Sequence, residues 1–277
     1  MDKAHVVSKV AEQVVWWMGE RRKKLEELRH ETMSVNPFLA PLIFDIHGFG
    51  DFESLAGFLV AGHLATGYAT GFGKLIDEKV LPRVFGTLKL DKKARAERPL
   101  NLSVFDEIDH VIVTHGGLPK LLSLKAGRWT IQLTMAVQLN KTFSELVNLR
   151  SAGKLGRLNF DEIAVGVFYG EAATLTDKYD IIRGINRGAS HDVVDLRRHV
   201  NVYAGKKFWS WLNGDQDQTD EWVMEGIMEG LRQSRLLVGS LGDLVSAFSA
   251  EFASTFSGYV RPDGTIDWQG IAKSING

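Results

Sequence analysis

The segment DHVIVTHGGLPKLLSLKAG, residues 109–127, decides how this chain is expected to fold. Residues 111–113 are Val-Ile-Val, and residues 121–124 carry three leucines, so both runs favour short β-strands. The sequence Gly-Gly-Leu-Pro between them is typical of a turn. The segment therefore predicts a β-hairpin, with a helix to follow it.

A hairpin folded about Gly117 would place Asp109 opposite Lys125, because the two positions are equally far from that glycine. Side chains alternate between the two faces of a strand, so Ser123 and Lys125 share a face. The pattern predicts a carboxylate and an ammonium group that face each other on adjacent strands. The alternative is a half-buried sheet that carries one salt bridge at its edge.

The first arrangement suits the hydrolysis of phosphodiesters. Asp109 would bind a hard cation such as Mg²⁺ through oxygen, and the carbonyl of Leu124 could supply a further ligand. The cation would polarise a phosphate and activate a bound water. Lys125 would orient that water or stabilise the charge that develops in the transition state.

The composition indicates a globular protein of one large or two modest domains, with 277 residues, 44% hydrophobic and 24% charged. The chain has no cysteine, which excludes disulfides, zinc-thiolate sites and thiol nucleophiles. Residues 1–24 lack the features of a secretory signal. A cytoplasmic location is therefore expected.

The charge distribution is compatible with a DNA-facing side. The net charge of -1 argues against non-specific coating of nucleic acid, but it leaves room for a focused basic surface. Basic residues cluster at 21–24, at 89–98 and between 183 and 207, whereas acidic residues gather at 215–230. Each basic run is also compatible with an ordinary solvated face.

Residues 54–73 contain no Asp, Glu, Lys or Arg and invite comparison with a membrane span. Glycines interrupt the stretch, and it includes His63 and Tyr68, so it makes a poor membrane helix. A buried helix over Phe52–Ala65 that leads into a glycine-rich loop is expected instead, with no membrane partner.

The remaining patterns predict the order helices, hairpin, helix, strand, strand, helices. Residues 89–101 are expected to form a charged loop or a frayed helix. The predicted helices are 4–31, 73–86 with a kink at Pro82, 130–150 with Leu133, Ala136, Val137 and Leu139 inward, and most of the chain from about 209; the predicted strands are 161–170 and 200–205. The fold class is therefore α/β, a mixed central sheet flanked by helices with helical additions at both ends.

Seven stretches carry a resemblance to a known family. They are residues 31–45, 70–86, 105–112, 121–141, 165–170, 176–186 and 202–214, and the resemblance extends over about residues 10 to 235. They resemble the PD-(D/E)xK nuclease superfamily, and within it the type II restriction endonucleases that recognise RGGNCCY. The resemblance implies a restriction-endonuclease-like fold with a catalytic core at about 70–207. The helical parts at both ends would serve dimerisation and the embrace of DNA.

The resemblance also implies the activity and the partners. The expected enzyme is a Mg²⁺-dependent type II site-specific deoxyribonuclease that cuts double-stranded DNA at RGGNCCY, or a subset of it, and leaves 5′ overhangs. A two-fold symmetric target calls for a homodimer with one active site for each DNA strand. A cognate methyltransferase is expected in the same system, but not as a subunit.

Several positions match the catalytic signature of the family. Asp109 matches the metal-binding aspartate, although Ile108 replaces the usual proline before it. Ser123 occupies the position of the second acid, and the carbonyl of Leu124 is the further metal ligand. Lys125 matches the catalytic lysine.

An upstream carboxylate would compensate for the serine. The sequence Gly-Lys-Leu-Ile-Asp-Glu offers Asp77, with Glu78 as the alternative. Both residues are equally compatible with exposed charges on a helix.

DNA contacts are expected just beyond the active site and at a second, more distant position. Arg128 is the leading candidate to read guanine, since arginine bidentate to guanine is the commonest specific contact; a phosphate clamp is the alternative. The other candidates are Trp129, Thr130, Gln132, Arg183 and Arg187.

Two further functions stay open. One is a repair or structure-specific nuclease with the same chemistry, and the other is a catalytically silent DNA-binding module, which Ser123 in place of the acid keeps possible. The chain contains no phosphate-binding P-loop, no His-Glu-x-x-His zinc motif and no Gly-x-Ser-x-Gly nucleophile elbow. His110 is expected to be structural, because alternation points it away from Asp109.

Overall fold

The structure is a computed structural model that describes residues 1–27, 36–96, 103–114, 117–125, 127, 131–156, 159–188, 190–238 and 242–276. Its helices are α1 (Lys3–Glu26), α2 (Ala40–Ile46), α3 (Phe52–Leu75), α4 (Leu81–Val84), α5 (Lys92–Ala96), α6 (Leu133–Ser151), α7 (Lys178–Ile182), α8 (Lys206–Leu212), α9 (Thr219–Val238), α10 (Gly242–Phe256) and α11 (Trp268–Asn276). Its strands are β1 (Leu88–Lys89), β2 (His110–Ile112), β3 (Lys120–Lys125), β4 (Ile163–Val167) and β5 (Val200–Ala204).

The chain divides into two compact units, 1–13 with 73–230 and 14–72 with 231–277. The first unit contains a five-stranded mixed sheet in the order β1-β2-β3-β4-β5. The first three strands are antiparallel, whereas β3, β4 and β5 are parallel. The predicted α/β class with a mixed sheet is therefore confirmed. The expected roles of the terminal helical parts in dimerisation and DNA embrace stay predictions.

The two strands predicted at 161–170 and 200–205 are confirmed as β4 and β5. All five residues of β4 are buried, as its unbroken apolar run indicates. One face of the sheet joins a hydrophobic cluster with α6, in which Leu121 and Val165 pack together with Leu139 and Phe143. On the opposite face, Gly166 lies against Phe208 of α8. The helix α6 begins at Leu133, which is 41% exposed rather than inward as predicted.

The predicted register of the hairpin is wrong by two residues. The observed partners are His110 with Leu122 and Ile112 with Lys120, so continuing the ladder places Asp109 opposite Ser123 and not opposite Lys125. The predicted symmetry about Gly117 assumed a turn centre that the sequence alone cannot fix. A shift of two residues preserves the faces within the ladder, because side chains alternate with a period of two. Ser123 and Lys125 therefore share one face of β3, as predicted, whereas Asp109 lies just before β2 and outside the paired residues.

Residues 66–73 were expected to form a glycine-rich loop, and this expectation is wrong, because α3 continues to Leu75. Each glycine costs about 1 kcal/mol in a helix interior, but close packing can outweigh that cost. In the second unit, a Cβ added at Gly71 would lie 3.0 Å from the Arg21 guanidinium and 3.3 Å from the Trp17 indole nitrogen. Glycine at this position allows those two side chains to approach the helix.

A π-helical turn over Ile76–Val80 follows α3, and Pro82 lies in the first turn of α4. Proline lacks a backbone N–H, so a change of helical geometry just before Pro82 agrees with the predicted kink. In residues 89–101, the short helix α5 agrees with the frayed helix that was one of the two predicted alternatives, whereas the two-residue strand β1 was not predicted. Among the described residues, no helix combines the length and apolar character that crossing a membrane requires.

Candidate active site

Asp109 lies immediately before β2, and backbone hydrogen bonds hold it between the two neighbouring strands. Its N–H donates to the Leu122 carbonyl at 2.9 Å, and its own carbonyl accepts from the Leu90 N–H at 2.8 Å. The N–H and the C=O of Asp109 thus point towards opposite neighbouring strands, so Asp109 interrupts the regular ladder just before β2 begins. These two bonds hold the Asp109 backbone in place beside β3.

The Asp109 carboxylate accepts a hydrogen bond of 2.6 Å from the backbone N–H of Leu124. Burial raises the pKa of this carboxyl above its ordinary value, and the charge of Asp77 adds to the effect. The Leu124 N–H and the Lys125 ammonium act in the opposite direction and lower the pKa without cancelling the burial. A bound divalent cation would strongly favour the ionised carboxylate at this position.

Leu124 presents its backbone to the same side of β3 as the Asp109 carboxylate. In an antiparallel ladder, the N–H and the C=O of one residue point towards the same neighbouring strand. Since the Leu124 N–H reaches Asp109, the Leu124 carbonyl also faces the β2 side. This orientation is compatible with the predicted ligand role of that carbonyl.

Ser123 is fully buried, with no exposed side-chain surface. Within the described residues, its hydroxyl has no hydrogen-bond partner. A buried hydroxyl without a partner is unfavourable, by about 1–3 kcal/mol in mutational data. The position of the second acid is thus occupied by an unpaired polar atom beside Asp109.

Asp77 contacts the sheet through the side chains of two strands. One carboxylate oxygen lies 2.7 Å from Nε2 of His110, and the other accepts from the Lys89 ammonium. Nδ1 of His110 lies 2.9 Å from the Thr87 hydroxyl. Lys89 pairs with His110 in the ladder, so these two side chains lie on one face of the sheet. Within the described residues, Asp77 is held by His110 and Lys89 and makes no hydrogen bond or ion pair with Asp109 or Lys125.

The surroundings of Asp77 stabilise its ionised form. Burial alone would raise the pKa of this carboxyl, but the hydrogen bonds and charges of His110 and Lys89 outweigh it and hold the pKa below its ordinary value. Both oxygens are engaged by protein donors, which leaves them poorly placed to bind a cation. The alternative carboxylate, Glu78, lies on the exposed surface of the π-helical turn.

Among the described residues, no group of three or more His, Asp or Glu side chains is arranged to hold a metal ion. Mg²⁺ keeps several waters and is often bound through one or two carboxylates together with substrate phosphates. Asp109 and the Leu124 carbonyl would supply one carboxylate and one further oxygen, which is near the lower limit of that number of protein ligands. The residues present therefore fit a cation whose coordination shell is completed by substrate and water, rather than one that is surrounded by protein ligands.

Three of the predicted DNA contacts, Arg128, Trp129 and Thr130, lie outside the described residues. Gln132 is exposed and precedes α6 with an extended backbone, and its side chain makes no capping hydrogen bond. This position leaves the Gln132 amide accessible to a ligand.

The two more distant arginines are engaged by protein groups. Arg183 donates through Nε to the Val200 carbonyl at 3.3 Å. Arg187 pairs with Asp180 at 2.6 Å, although its side chain is 70% exposed. Both line a small cavity of about 180 Å³ beside α7.

The interactions of Asp77 with Lys89 and His110, and of His110 with Thr87, were not predicted. His110 was expected to be structural, and it is fully buried. Lys89 lies in a strand of two residues, which is too short for a periodic pattern. His110 follows Asp109 in the sequence, and a buried histidine needs hydrogen-bond partners. This was the available signal that a polar side chain lies near His110.

No protein-family model matches the chain, and a search of curated protein sequences finds no similar protein. The resemblance to type II restriction endonucleases therefore stays a prediction that rests on the motifs.

Proposed function

We propose that this chain is a Mg²⁺-dependent, sequence-specific DNA endonuclease with a restriction-endonuclease-like core. The observation that carries the proposal is the hydrogen bond that ties the Asp109 carboxylate to the backbone of Leu124, the residue next to Lys125 on β3. The charge of Lys125 also lowers the pKa of the Asp109 carboxyl, which opposes the effect of burial.

Each group has a role in the proposed reaction. Asp109 and the Leu124 carbonyl would hold Mg²⁺, which polarises the phosphate and lowers the pKa of a bound water. Lys125 would orient the attacking water or stabilise the negative charge that develops on the phosphate oxygens. The proposed product is double-stranded DNA cut at RGGNCCY or a subset, with 5′ overhangs.

A homodimer belongs to this proposal, because an interrupted palindrome presents the same half-site on each strand. Two copies related by a two-fold axis would place one Asp109–Lys125 pair at each scissile bond. A separate methyltransferase would protect the host DNA, since the nuclease would otherwise cut it. The proposal places the protein in the cytoplasm, where that DNA lies.

The experiment is a digest of sequenced phage DNA with purified protein and Mg²⁺, followed by mapping of the cut ends. The variants are Asp109→Asn and Lys125→Ala, with Asp106→Asn and Lys154→Ala as matched controls, since both control residues are exposed. Discrete cuts at RGGNCCY that only the first two variants lose would support the proposal. Smeared products, or cutting restricted to branched DNA, would favour a repair nuclease instead.

A catalytically silent DNA-binding module is the second candidate, and one observation favours it. Ser123 occupies the second acidic position, and its buried hydroxyl cannot replace a carboxylate charge. Specific DNA binding by a wild-type protein that cuts nothing in Mg²⁺ or Mn²⁺ would select this candidate over the nuclease.

A further inference from the structure

A cavity of about 610 Å³ lies at the end of β5 and the start of α8. Its volume falls within the range of small-molecule sites, which is roughly 300–1,000 Å³. In the parallel part of the sheet, Ala204 of β5 is in register with Val167, and Val167 with Lys125. The cavity therefore lies at the same end of the parallel strands as Lys125. Tyr203, which lines it, is in register with Gly166 and Leu124, so its ring lies on the face of the sheet opposite to the Lys125 side chain.

One wall of the cavity is a stacked aromatic pair. The rings of Tyr203 and Trp211 have centroids 4.9 Å apart and planes inclined by 17°. Glu162 fixes both rings, because it accepts from the Trp211 indole N–H at 2.8 Å and from the Tyr203 hydroxyl at 3.1 Å. Both rings are therefore held in place before any ligand arrives.

Glu162 itself is well anchored. It pairs with Lys120 at 2.9 Å and accepts from the Asn201 amide at 2.7 Å. The Lys120 ammonium also lies 5.3 Å from the centre of the Trp211 ring. These contacts occupy the hydrogen-bonding capacity of the partly buried Glu162 carboxylate. Glu162 therefore supports the two rings rather than binding a ligand.

The rim of the cavity carries charges of both signs. Two lysines and three acidic residues line it, and all five are exposed: Lys206, Lys207, Glu171, Asp215 and Asp217. The ammonium groups suit a phosphate, and carboxylates accept hydrogen bonds from the amino groups of nucleobases. The carboxylates outnumber the lysines, so a bare inorganic anion would be poorly held.

We propose that this cavity binds a nucleotide, with the base against the Tyr203–Trp211 wall and the phosphate at Lys206 and Lys207. Flat aromatic side chains accept any nucleobase by stacking. The nucleotide has two possible sources, a free nucleotide or a base unstacked from DNA held at Asp109 and Lys125. The second source rests on the proposed endonuclease function, and the first does not.

The first arm of the test titrates the full-length protein with AMP and with adenosine by calorimetry. AMP binds more tightly than adenosine, and the double variant Lys206→Ala/Lys207→Ala lowers the AMP affinity at least tenfold, to the level of adenosine. Lys154→Ala, at an exposed lysine elsewhere, leaves both affinities unchanged. Ala173 is an exposed residue of the cavity lining, so Ala173→Trp fills the cavity with an indole ring and abolishes the binding of AMP and of adenosine.

Tyr203→Phe keeps the stacked ring and removes only the hydroxyl bonded to Glu162, so its affinity for AMP stays within threefold of the wild type. The second arm uses an RGGNCCY duplex with 2-aminopurine at the central base or at a flanking base, in Ca²⁺. A rise in fluorescence on binding that Ala173→Trp removes identifies DNA as the source of the nucleotide.

The outcomes separate the two proposals. If AMP binding and the 2-aminopurine signal are both absent, or both unaffected by Ala173→Trp and by the lysine variant, the nucleotide site is overturned. Cleavage by the wild type is measured on the same DNA. If the wild type does not cut this DNA but still binds AMP, the endonuclease proposal is refuted and the nucleotide-site proposal is retained.

Discussion

The Asp109 carboxylate and the Leu124 backbone are joined across the hairpin by a hydrogen bond of 2.6 Å. This bond holds the Asp109 carboxylate against β3, the strand that carries Lys125, and the Leu124 carbonyl faces the same side of that strand. A cation ligated here would replace part of the solvation that burial has removed from Asp109. Metal binding and folding stability are therefore expected to be coupled through this residue.

Asp109→Asn is expected to stabilise the metal-free protein at pH 7. Burial raises the pKa of the Asp109 carboxyl in the folded state, so the stability that the protonated acid provides is present at low pH and is lost as the pH rises through that pKa. The gain in Asp109→Asn should disappear below the ordinary carboxyl pKa of 3.8. Urea unfolding between pH 3 and pH 8 measures the difference in the free energy of unfolding between Asp109→Asn and the wild type, with Asp106→Asn as control.

In Asp109→Asn, Mg²⁺ should no longer increase the free energy of unfolding. At a concentration of one hundred times the dissociation constant, a ligand that binds only the folded state adds about 2.7 kcal/mol to the free energy of unfolding. The wild type should show this increase, and Asp109→Asn should not. An undiminished Mg²⁺ response in Asp109→Asn would remove Asp109 from the metal site.

Ser123→Ala is expected to be neutral or to stabilise the protein by up to about 1 kcal/mol, because the buried hydroxyl finds no partner in the described part of the chain. Thermal unfolding measures the change. A loss of more than about 1 kcal/mol would show that the hydroxyl is paired in solution.

Ser123→Asp should raise the affinity for Mg²⁺ at least tenfold, since a second carboxylate opposite Asp109 completes the usual acidic pair. In the absence of metal, the same variant should be less stable than the wild type, because two close carboxylates repel each other. Ser123→Asn is the matched neutral control. If Ser123→Asp cuts DNA and the wild type does not, the silent binding module describes the natural protein.

Asp77→Asn should destabilise the fold by about 1–3 kcal/mol, because His110 and Lys89 lose a charged hydrogen-bond partner in a partly buried site. The pKa of Asp77 is held below its ordinary value, so its contribution is present above that value and is lost as the pH falls through the folded-state pKa. The difference from wild type should therefore shrink in acid.

The affinity for Mg²⁺ distinguishes a structural Asp77 from a liganding one. We expect it to be unchanged in Asp77→Asn at a temperature where both proteins are folded. Glu78→Gln, at the exposed neighbour, serves as the control and should change neither stability nor affinity. A tenfold fall in Mg²⁺ affinity in Asp77→Asn alone would return Asp77 to the metal site.

Arg187 is expected to bind a DNA phosphate at the expense of its pairing with Asp180. Arg187→Ala should weaken binding to all sequences alike and reduce the slope of log affinity against log salt by about one. Asp180→Asn should strengthen binding a few-fold at low salt, because it releases the guanidinium. Arg197→Ala is the matched control, since Arg197 is paired with Asp195 at the same distance of 2.6 Å. Equal effects of the two arginine variants would argue against a specific contact.

The sequence predicted the parts of the fold that depend on local pattern. The five buried residues of β4 form an unbroken apolar run, and the apolar face of α1 buries Val6, Val10 and Val14 as its spacing indicates. The glycine-rich end of α3 was assigned wrongly, because its helix is stabilised by side chains from another element.

The candidate site was predictable only in part. Alternation correctly put Ser123 and Lys125 on one face, but the partner of Asp109 depends on a turn centre that no short-range rule determines. The bonds of Asp77 to Lys89 and His110 join a π-helical turn to two short strands. Such a network arises from the tertiary fold, and no spacing along the chain encodes it.

The alternation of faces in the hairpin also limits how the connection between β2 and β3 can change in length. A register shift of two residues would move His110 along β3 and keep its ring on the face where it meets Asp77. A shift of one residue would bring His110 opposite Leu121 or Ser123 and turn its ring to the other face. Parity, rather than length, is therefore the property of this connection that selection has to preserve.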